Sequence, residues 1–229
     1  MIISHKYKFI FIKTMKTAGT SIEVFLSRHC GDDDIFTPIW PHLEPHCARN
    51  HQGLWNPLRE LLGAKDIYRC AELFKDLRTK RKYYNHIPAA IVEKRTTRNI
   101  WDNYFKFCVE RNPWDKTLSH YYMMSKRTEG GMSFDDYLSR GQFCLNYPRY
   151  TDENGVLLVD KVIKYESLVD ELAALFGMLN IPFNGTLGVR AKSDYRKDRR
   201  PYTEIYSSKQ RQTVERAFAK EIEMHNYKF

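Results

Sequence analysis

Apolar residues in this chain fall into short blocks separated by polar turns. Residues 9–12 are four consecutive apolar side chains, the pattern of a strand covered on both faces, as in a parallel sheet. A polar turn over 13–21 follows, and Ile22, Val24, Phe25 and Leu26 then predict a helix beginning near 19–21. The same sequence of events recurs at 104–109, a short apolar and aromatic strand. There the helix start falls at Pro113, whose missing N–H costs nothing in a first turn. Residues 156–165 form a third apolar strand, leading into a helix from Ser167 with its apolar stripe at 168, 172, 175 and 176. Shorter signals fill the gaps. Pro88 opens a helix, Ser133 caps one that carries Asp135 and Asp136 in its first turn, and Val214, Phe218 and Ile222 mark a docking face on a last helix over 207–223. Residues 35–53 read as a loop, and the charge run at 75–82 reads as a solvated face. The alternation predicts an α/β fold, a central parallel sheet with helices on both faces, in a single domain over 1–229.

Charge narrows the choice of partner. A net charge of +9 and a pI near 9.2 call for something anionic: nucleic acid, an acidic glycan or a multiply charged nucleotide. No zinc knuckle, RNP motif or helix-turn-helix signature is present, so nucleic acid is not the expected partner. Cys30, Cys47, Cys70, Cys108 and Cys144 are odd in number and lack CxxC spacing, which fits reduced thiols in a reducing compartment. Cys30, His42, His46 and Cys47 do not have zinc spacing, and no metal is expected. No apolar run reaches membrane-spanning length and the first strand follows Met1 closely, so a cytoplasmic protein without integral membrane contact is expected.

The turn at 13–21 holds two lysines, a glycine and four hydroxyls between strand and helix. A helix start here aims its unpaired N–H groups and positive dipole end above Lys16 and Thr17, an anion site and most naturally a phosphate site. Ser and Thr are also ordinary helix caps, so a merely capped helix is the competing reading. The nucleotide-triphosphatase loop does not fit, because the first glycine of the chain is Gly19, downstream of Lys16.

Two stretches about ninety-five residues apart carry a resemblance. Lys16-Thr17-Ala18-Gly19-Thr20-Ser21 resembles the 5'-phosphosulfate loop of the sulfotransferases, and Arg111-Asn112-Pro113-Trp114-Asp115 with Ser119 resembles their 3'-phosphate motif. The likeness is to the carbohydrate-type branch and runs through TTRNIWDNYFKFCVERNPWDK, VDKVIKYESLVDEL and the C-terminal EIEMHNYKF, covering most of the chain. Met15 departs from it, standing where the family often has a proline. The resemblance implies a P-loop-type fold and the donor 3'-phosphoadenosine 5'-phosphosulfate, with no metal. It implies that Lys16, Thr17, Ala18, Gly19, Thr20 and Ser21 hold the 5'-phosphosulfate, that Arg111 and Ser119 hold the 3'-phosphate, and that Lys192, Arg196 and Arg199 fold over the latter. The acceptor it implies is a hydroxyl, of a carbohydrate, and it places Arg49 and His51 of the loop over 35–53 as acceptor contacts, a solvated connection being the other reading of that loop.

Sulfonyl transfer needs a base for the acceptor hydroxyl and a cation for the departing phosphate. Lys16 suits the second task. His86, just ahead of the Pro88 helix start, suits the first, and the NHxPA context resembles the family's histidine position. His51 and Glu110 are the rival bases. A nearby helix N-terminus is expected to lower the pKa of His86. A nucleotide or sugar kinase, and a binder of anionic ligands that transfers nothing, are the alternative functions.

Overall fold

The computed structural model describes residues 1–64, 66–189, 198 and 200–229. In chain order its elements are β1 (Ile2–Ser4), β2 (Phe9–Ile12), α1 (Gly19–Ser27), β3 (Ile35–Phe36), α2 (Leu58–Leu62), α3 (Ile67–Arg78), α4 (Ala89–Arg95) and α5 (Arg98–Asn103). Then come β4 (Phe105–Glu110), α6 (Pro113–Arg127), α7 (Phe134–Ser139), α8 (Tyr147–Tyr150), β5 (Lys161–Lys164), α9 (Leu168–Met178), α10 (Ser208–Ala217) and α11 (Ala219–His225).

The described strands form one sheet in the order β3-β1-β2-β4-β5. Its heart is parallel: β2 pairs with β4, Phe11 opposite Phe107, and β4 pairs with β5, Cys108 opposite Val162. The expected central parallel sheet is this heart, and two antiparallel strands extend it: β1 and β2 are joined by a tight turn and therefore run antiparallel, and β3 joins the outer edge of β1 the same way. Side chains alternate across the sheet as the pleat requires. Phe9, Phe11, Phe107 and Val109 face α1 and α9 in one core with Ile22, Phe25, Leu172 and Phe176; Ile10, Ile12 and Cys108 face α4 and α8 in another with Ala89, Val92 and Tyr150. A third cluster, Trp114, Tyr137, Val214 and Phe218, welds α6, α7 and α10 together.

Sequence pattern and structure diverge at three places. The strand read over 156–165 shrinks to β5, since Gly155 turns the chain at φ 83° and Leu158 donates back to the Tyr150 carbonyl. The helix read over 207–223 is two helices, broken at Phe218 (φ −109°, ψ 21°), which leaves Val214 and Phe218 buried and Ile222 partly so. The stretch read as a loop over 35–53 contains β3, and Arg49 pairs with Phe36 across a single bridge there.

Candidate functional site

The turn after β2 is clamped from several directions. Lys13 and Thr14 are buried. The Thr14 hydroxyl donates to the carbonyl of Val109 at the end of β4, and its oxygen lies 2.7 Å from that of Thr17. Met15 donates its amide to Asn146 Oδ1 at 2.8 Å and accepts from Asn146 Nδ2 at 3.0 Å. So held, the chain passes through left-handed backbone at Lys16 (φ 62°) and Ala18 (φ 60°), neither of them glycine. Each such residue costs about 1–2 kcal/mol, and it persists only where the surroundings over-determine it.

Helix α1 starts directly from this turn with Ala18 as its N-cap and no side-chain cap, and Ile22 N–H to Ala18 carbonyl at 3.1 Å is its opening bond. The reading of Thr and Ser as ordinary caps therefore does not hold here. Buried Thr17, Thr20 and Ser21 sit around the helix end instead. Gly19 is needed for close approach: a Cβ built there would lie 2.8 Å from Cγ of Lys13. The Lys13 ammonium is spent on buried Glu23. Burial alone would raise the Glu23 carboxyl, but the Met1 amine and Lys13 beside it hold it below its ordinary value. Of the turn's two lysines, Lys16 is thus the one that stands clear of Glu23, its Nζ 3.7 Å from Met123 Sδ on α6.

The second motif meets the first. Asn112 caps α6, accepting from the Trp114 amide at 3.1 Å, with Pro113 in the first turn. Arg111 is stacked 4.2 Å from the Tyr165 ring centroid and is aimed by Asp115, whose Oδ2 accepts from Nε at 2.9 Å and from Nη2 at 2.6 Å. Its Nη1 donates to the Lys16 carbonyl at 3.2 Å, so the two stretches that the sequence offered as partners share a hydrogen bond. Arg111, Asp115, Ser119 and Met123 follow one another at four-residue spacing, which puts half-buried Ser119 on the face of α6 that Lys16 leans against.

Glu110, a rival base from sequence, is fully buried and committed to the scaffold. It accepts from Lys116 Nζ at 2.8 Å, Tyr150 OH at 3.0 Å, Asn146 Nδ2 at 3.2 Å and the Arg111 amide at 2.9 Å. Lys116 also donates to Glu221 at 3.0 Å; burial would lower its pKa, but the two carboxylates raise it.

His86 sits in left-handed backbone (φ 59°) with Nδ1 at 3.1 Å from the Lys13 carbonyl. A carbonyl only accepts, so the proton is assigned to Nδ1, leaving the Nε2 lone pair to accept another. Burial first, and the Lys13 charge second, push its pKa down to about 3. The direction is the one expected from sequence; the cause is burial and Lys13 and not the α4 terminus. Arg149 on α8 steadies the residue, donating from Nη1 to the His86 carbonyl at 2.5 Å, with Nη2 3.2 Å from Met15 Sδ.

The His51 carbonyl accepts from the Tyr83 amide at 2.9 Å, three residues ahead of His86, and the His51 ring makes no hydrogen bond among the described residues. Arg49 braces β3, with its guanidinium 4.5 Å from the Phe36 ring centroid and Nη2 on the Gly31 carbonyl at 2.8 Å. Lys192, Arg196 and Arg199 lie outside the described residues. No group of three or more His, Cys, Asp or Glu side chains suited to a metal ion occurs among the described residues. Asn146 and Arg149, which hold the turn and His86, were not found from sequence. They sit beside Tyr147-Pro148, and nothing local marks a clamp reaching back across 131 residues.

No protein-family model matches the chain. Across 96% of its length the structure is similar to mouse sulfotransferase SULT7A1 complexed with PAP, covering 86% of that chain at TM-score 0.44 and 14% identity. It is also similar to a sulfotransferase from Alicyclobacillus acidocaldarius, over 96% of both chains at TM-score 0.44 and 18% identity. In sequence, an uncharacterized protein of Archaeoglobus fulgidus is 30% identical over 118 residues, which span 48% of this chain and 98% of that protein. With nearly the whole of the archaeal protein matched at that level, the chain belongs to one family with it.

Proposed function

We propose that this protein transfers a sulfonyl group from 3'-phosphoadenosine 5'-phosphosulfate to a hydroxyl of a carbohydrate acceptor. The observation that carries the reading is the uncapped N-terminus of α1 beneath a turn held left-handed at Lys16 and Ala18, with Arg111 hydrogen-bonded into that same turn. A helix end without a side-chain cap presents unsatisfied N–H donors and the positive end of its dipole, and Lys16 adds a full charge. The motif resemblance assigns the 5'-phosphosulfate to Lys16, Thr17, Ala18, Gly19, Thr20 and Ser21, and the 3'-phosphate to Arg111 and Ser119. Lys192, Arg196 and Arg199 remain its candidates for covering the latter.

In the proposed reaction the bond from sulfur to the phosphate oxygen breaks as the bond to the acceptor oxygen forms, in line. The acceptor proton passes to His86 Nε2, and the negative charge left on the phosphate is stabilised by Lys16 and the α1 N-terminus. The tautomer fixed by the Lys13 carbonyl favours this role, since it leaves Nε2 as the acceptor. Lysine, arginine and helix-end charge supply what magnesium supplies in phosphoryl transfer, so turnover should need no divalent ion, whereas a kinase would need one. The test is sulfonyl transfer from labelled donor to a panel of glycans in the presence of chelator. Wild type should label a hydroxylated glycan, and His86→Asn should be slower by a factor of about 100 or more, the usual scale of general-base catalysis. Equal rates for the two proteins would remove His86 from the chemistry, and magnesium-dependent transfer of phosphate would replace the reading with a kinase.

A further inference from the structure

Helices α2 and α3 carry their apolar side chains on the outside. Helix α2 buries none of its residues, and α3 buries only Leu73 and Asp76. Leu62 is 88% exposed, Ile67 78%, Tyr68 80% and Phe74 60%, with Leu54 and Leu58 exposed beside them. On α3, Ile67, Ala71, Phe74 and Arg78 recur at helical spacing and all are exposed, so the face opposite Leu73 and Asp76 is apolar over its first turns and basic at its end. None of Leu54, Leu58, Leu62, Ile67, Tyr68 and Phe74 belongs to the three core clusters.

Base outnumbers acid around this face. Residues 58–82 contain eight Lys or Arg and four Asp or Glu. Two of those acids, Glu60 and Asp76, are spent on Arg95, which is buried beneath the pair and donates to both. Arg59, Arg69 and Arg81 pair with Glu93, Glu72 and Asp76, which leaves exposed Lys75, Arg78 and Lys80 beside the apolar side chains with no ion pair among the described residues. A second copy of this chain would bring the same basic rim against itself, in a protein already at +9. Apolar and aromatic residues on one face of a short helix, flanked by Lys and Arg, are matched by a bilayer whose headgroups are anionic: Leu, Ile and Phe enter the headgroup–acyl boundary while the basic side chains meet the phosphates.

We propose that α2 and α3 form a docking face for an anionic membrane surface, on which the protein lies peripherally. No helix among the described residues is long and apolar enough to cross a membrane, so the contact is one of lying on the surface. The inference does not depend on the reaction proposed above, and it is tested without it.

The experiment is co-sedimentation of the full chain with phosphatidylcholine vesicles, with and without about 30% phosphatidylserine, a content chosen to give the surface potential of an anionic leaflet. Wild type should partition to the anionic vesicles and not to the neutral ones. The double variant Leu62→Ser, Phe74→Ser and the charge variant Lys75→Glu, Arg78→Glu should each lose at least about tenfold in partition, the apolar pair because the contact buries it and the basic pair because the contact is with anionic lipid. Thermal melts of both variants matching wild type would confirm that only exposed side chains were touched. Partition unchanged by the serine variant would overturn the proposal, leaving unspecific attraction of a basic protein. Concentration-dependent dimerisation abolished by the same serines, or retention only by an acidic protein column, would overturn it in favour of a protein partner.

Discussion

Replacing Gly19 by alanine separates two opposing effects whose sizes can be weighed from the structure. Alanine gains in a helix because it loses less backbone entropy, about 0.5–1 kcal/mol. At Gly19, however, the new methyl would lie 2.8 Å from Lys13 Cγ, 3.3 Å from Cε and 3.5 Å from Cδ. These are the stem of the side chain, whose ammonium end is pinned on buried Glu23, so it cannot swing away freely. Overpacking of this kind costs about 1–3 kcal/mol, and more if the buried ion pair loosens. The overlap wins, and Gly19→Ala should be net destabilising by about 1–2 kcal/mol, or about 2–8 °C in melting temperature for a domain of this size. Gly177 on α9 is the internal control, since a Cβ there meets nothing within 4 Å. Gly177→Ala should therefore raise stability by a few tenths to about 1 kcal/mol. Urea titrations followed by circular dichroism measure both. If Gly19→Ala is as stable as wild type while Gly177→Ala behaves as expected, the tight seat of Lys13 against α1 is wrong, and with it the reason the turn requires glycine.

Three further outcomes follow from the buried charges and histidines. Lys116→Met leaves Glu110 and Glu221 buried without their cation and should cost about 3–5 kcal/mol, read as a fall in the urea midpoint; a loss under about 1 kcal/mol would show the three groups to be water-accessible. The folded-state pKa of His86 is about 3 and those of His46 and His120 about 4, against about 6.5 unfolded. The unfolded chain therefore binds these protons first as pH falls, so stability is fully present above about pH 6.5 and is lost below it, at up to about 1.4 kcal/mol per pH unit for each histidine. His86→Asn should flatten that slope by about one proton between pH 6.5 and pH 4, and an unchanged slope would place His86 in water. In catalysis the same depression keeps His86 neutral, so the rate should hold level from pH 8 down to about pH 5 instead of falling through pH 6.5.

Much of the fold was readable because its signals are local. The run at 9–12, the Pro113 start and the stripe at 168, 172, 175 and 176 each declare an element within a few neighbouring residues, and β2, α6 and α9 form where they say. The Ser133 cap is equally local, and its reciprocal bond with Asp136 forms the expected first turn of α7. What pattern could not supply is distance-spanning register. Phe218 has the right spacing to continue a helix, yet its packing under Phe143 and Trp114's cluster sets it at a break. The apolar residues of α2 and α3 sit at helical spacing but face outward, because the inner side is anchored on charge: Arg95 takes Glu60 and Asp76 and lies 4.2 Å from the Trp55 ring centroid. At the candidate site, Lys16, Arg111 and Ser119 were singled out by motif and stand on adjoining surfaces. Asn146 holds that turn through two hydrogen bonds to the Met15 backbone and Arg149 holds the His86 carbonyl, both from far along the chain, and a lone Asn or Arg in a turn carries no signal of that.

The most direct test of the proposed donor site is calorimetric titration of 3',5'-diphosphoadenosine, without magnesium, into wild type and Arg111→Ala. Saturable one-to-one binding by wild type, weakened at least about tenfold in a variant that still melts cooperatively, is the predicted result, since a charge-assisted hydrogen bond is worth about 1.5–3 kcal/mol. No binding by folded wild type would contradict the account, leaving the turn at Lys16 and Ala18 an anion cradle for some other ligand.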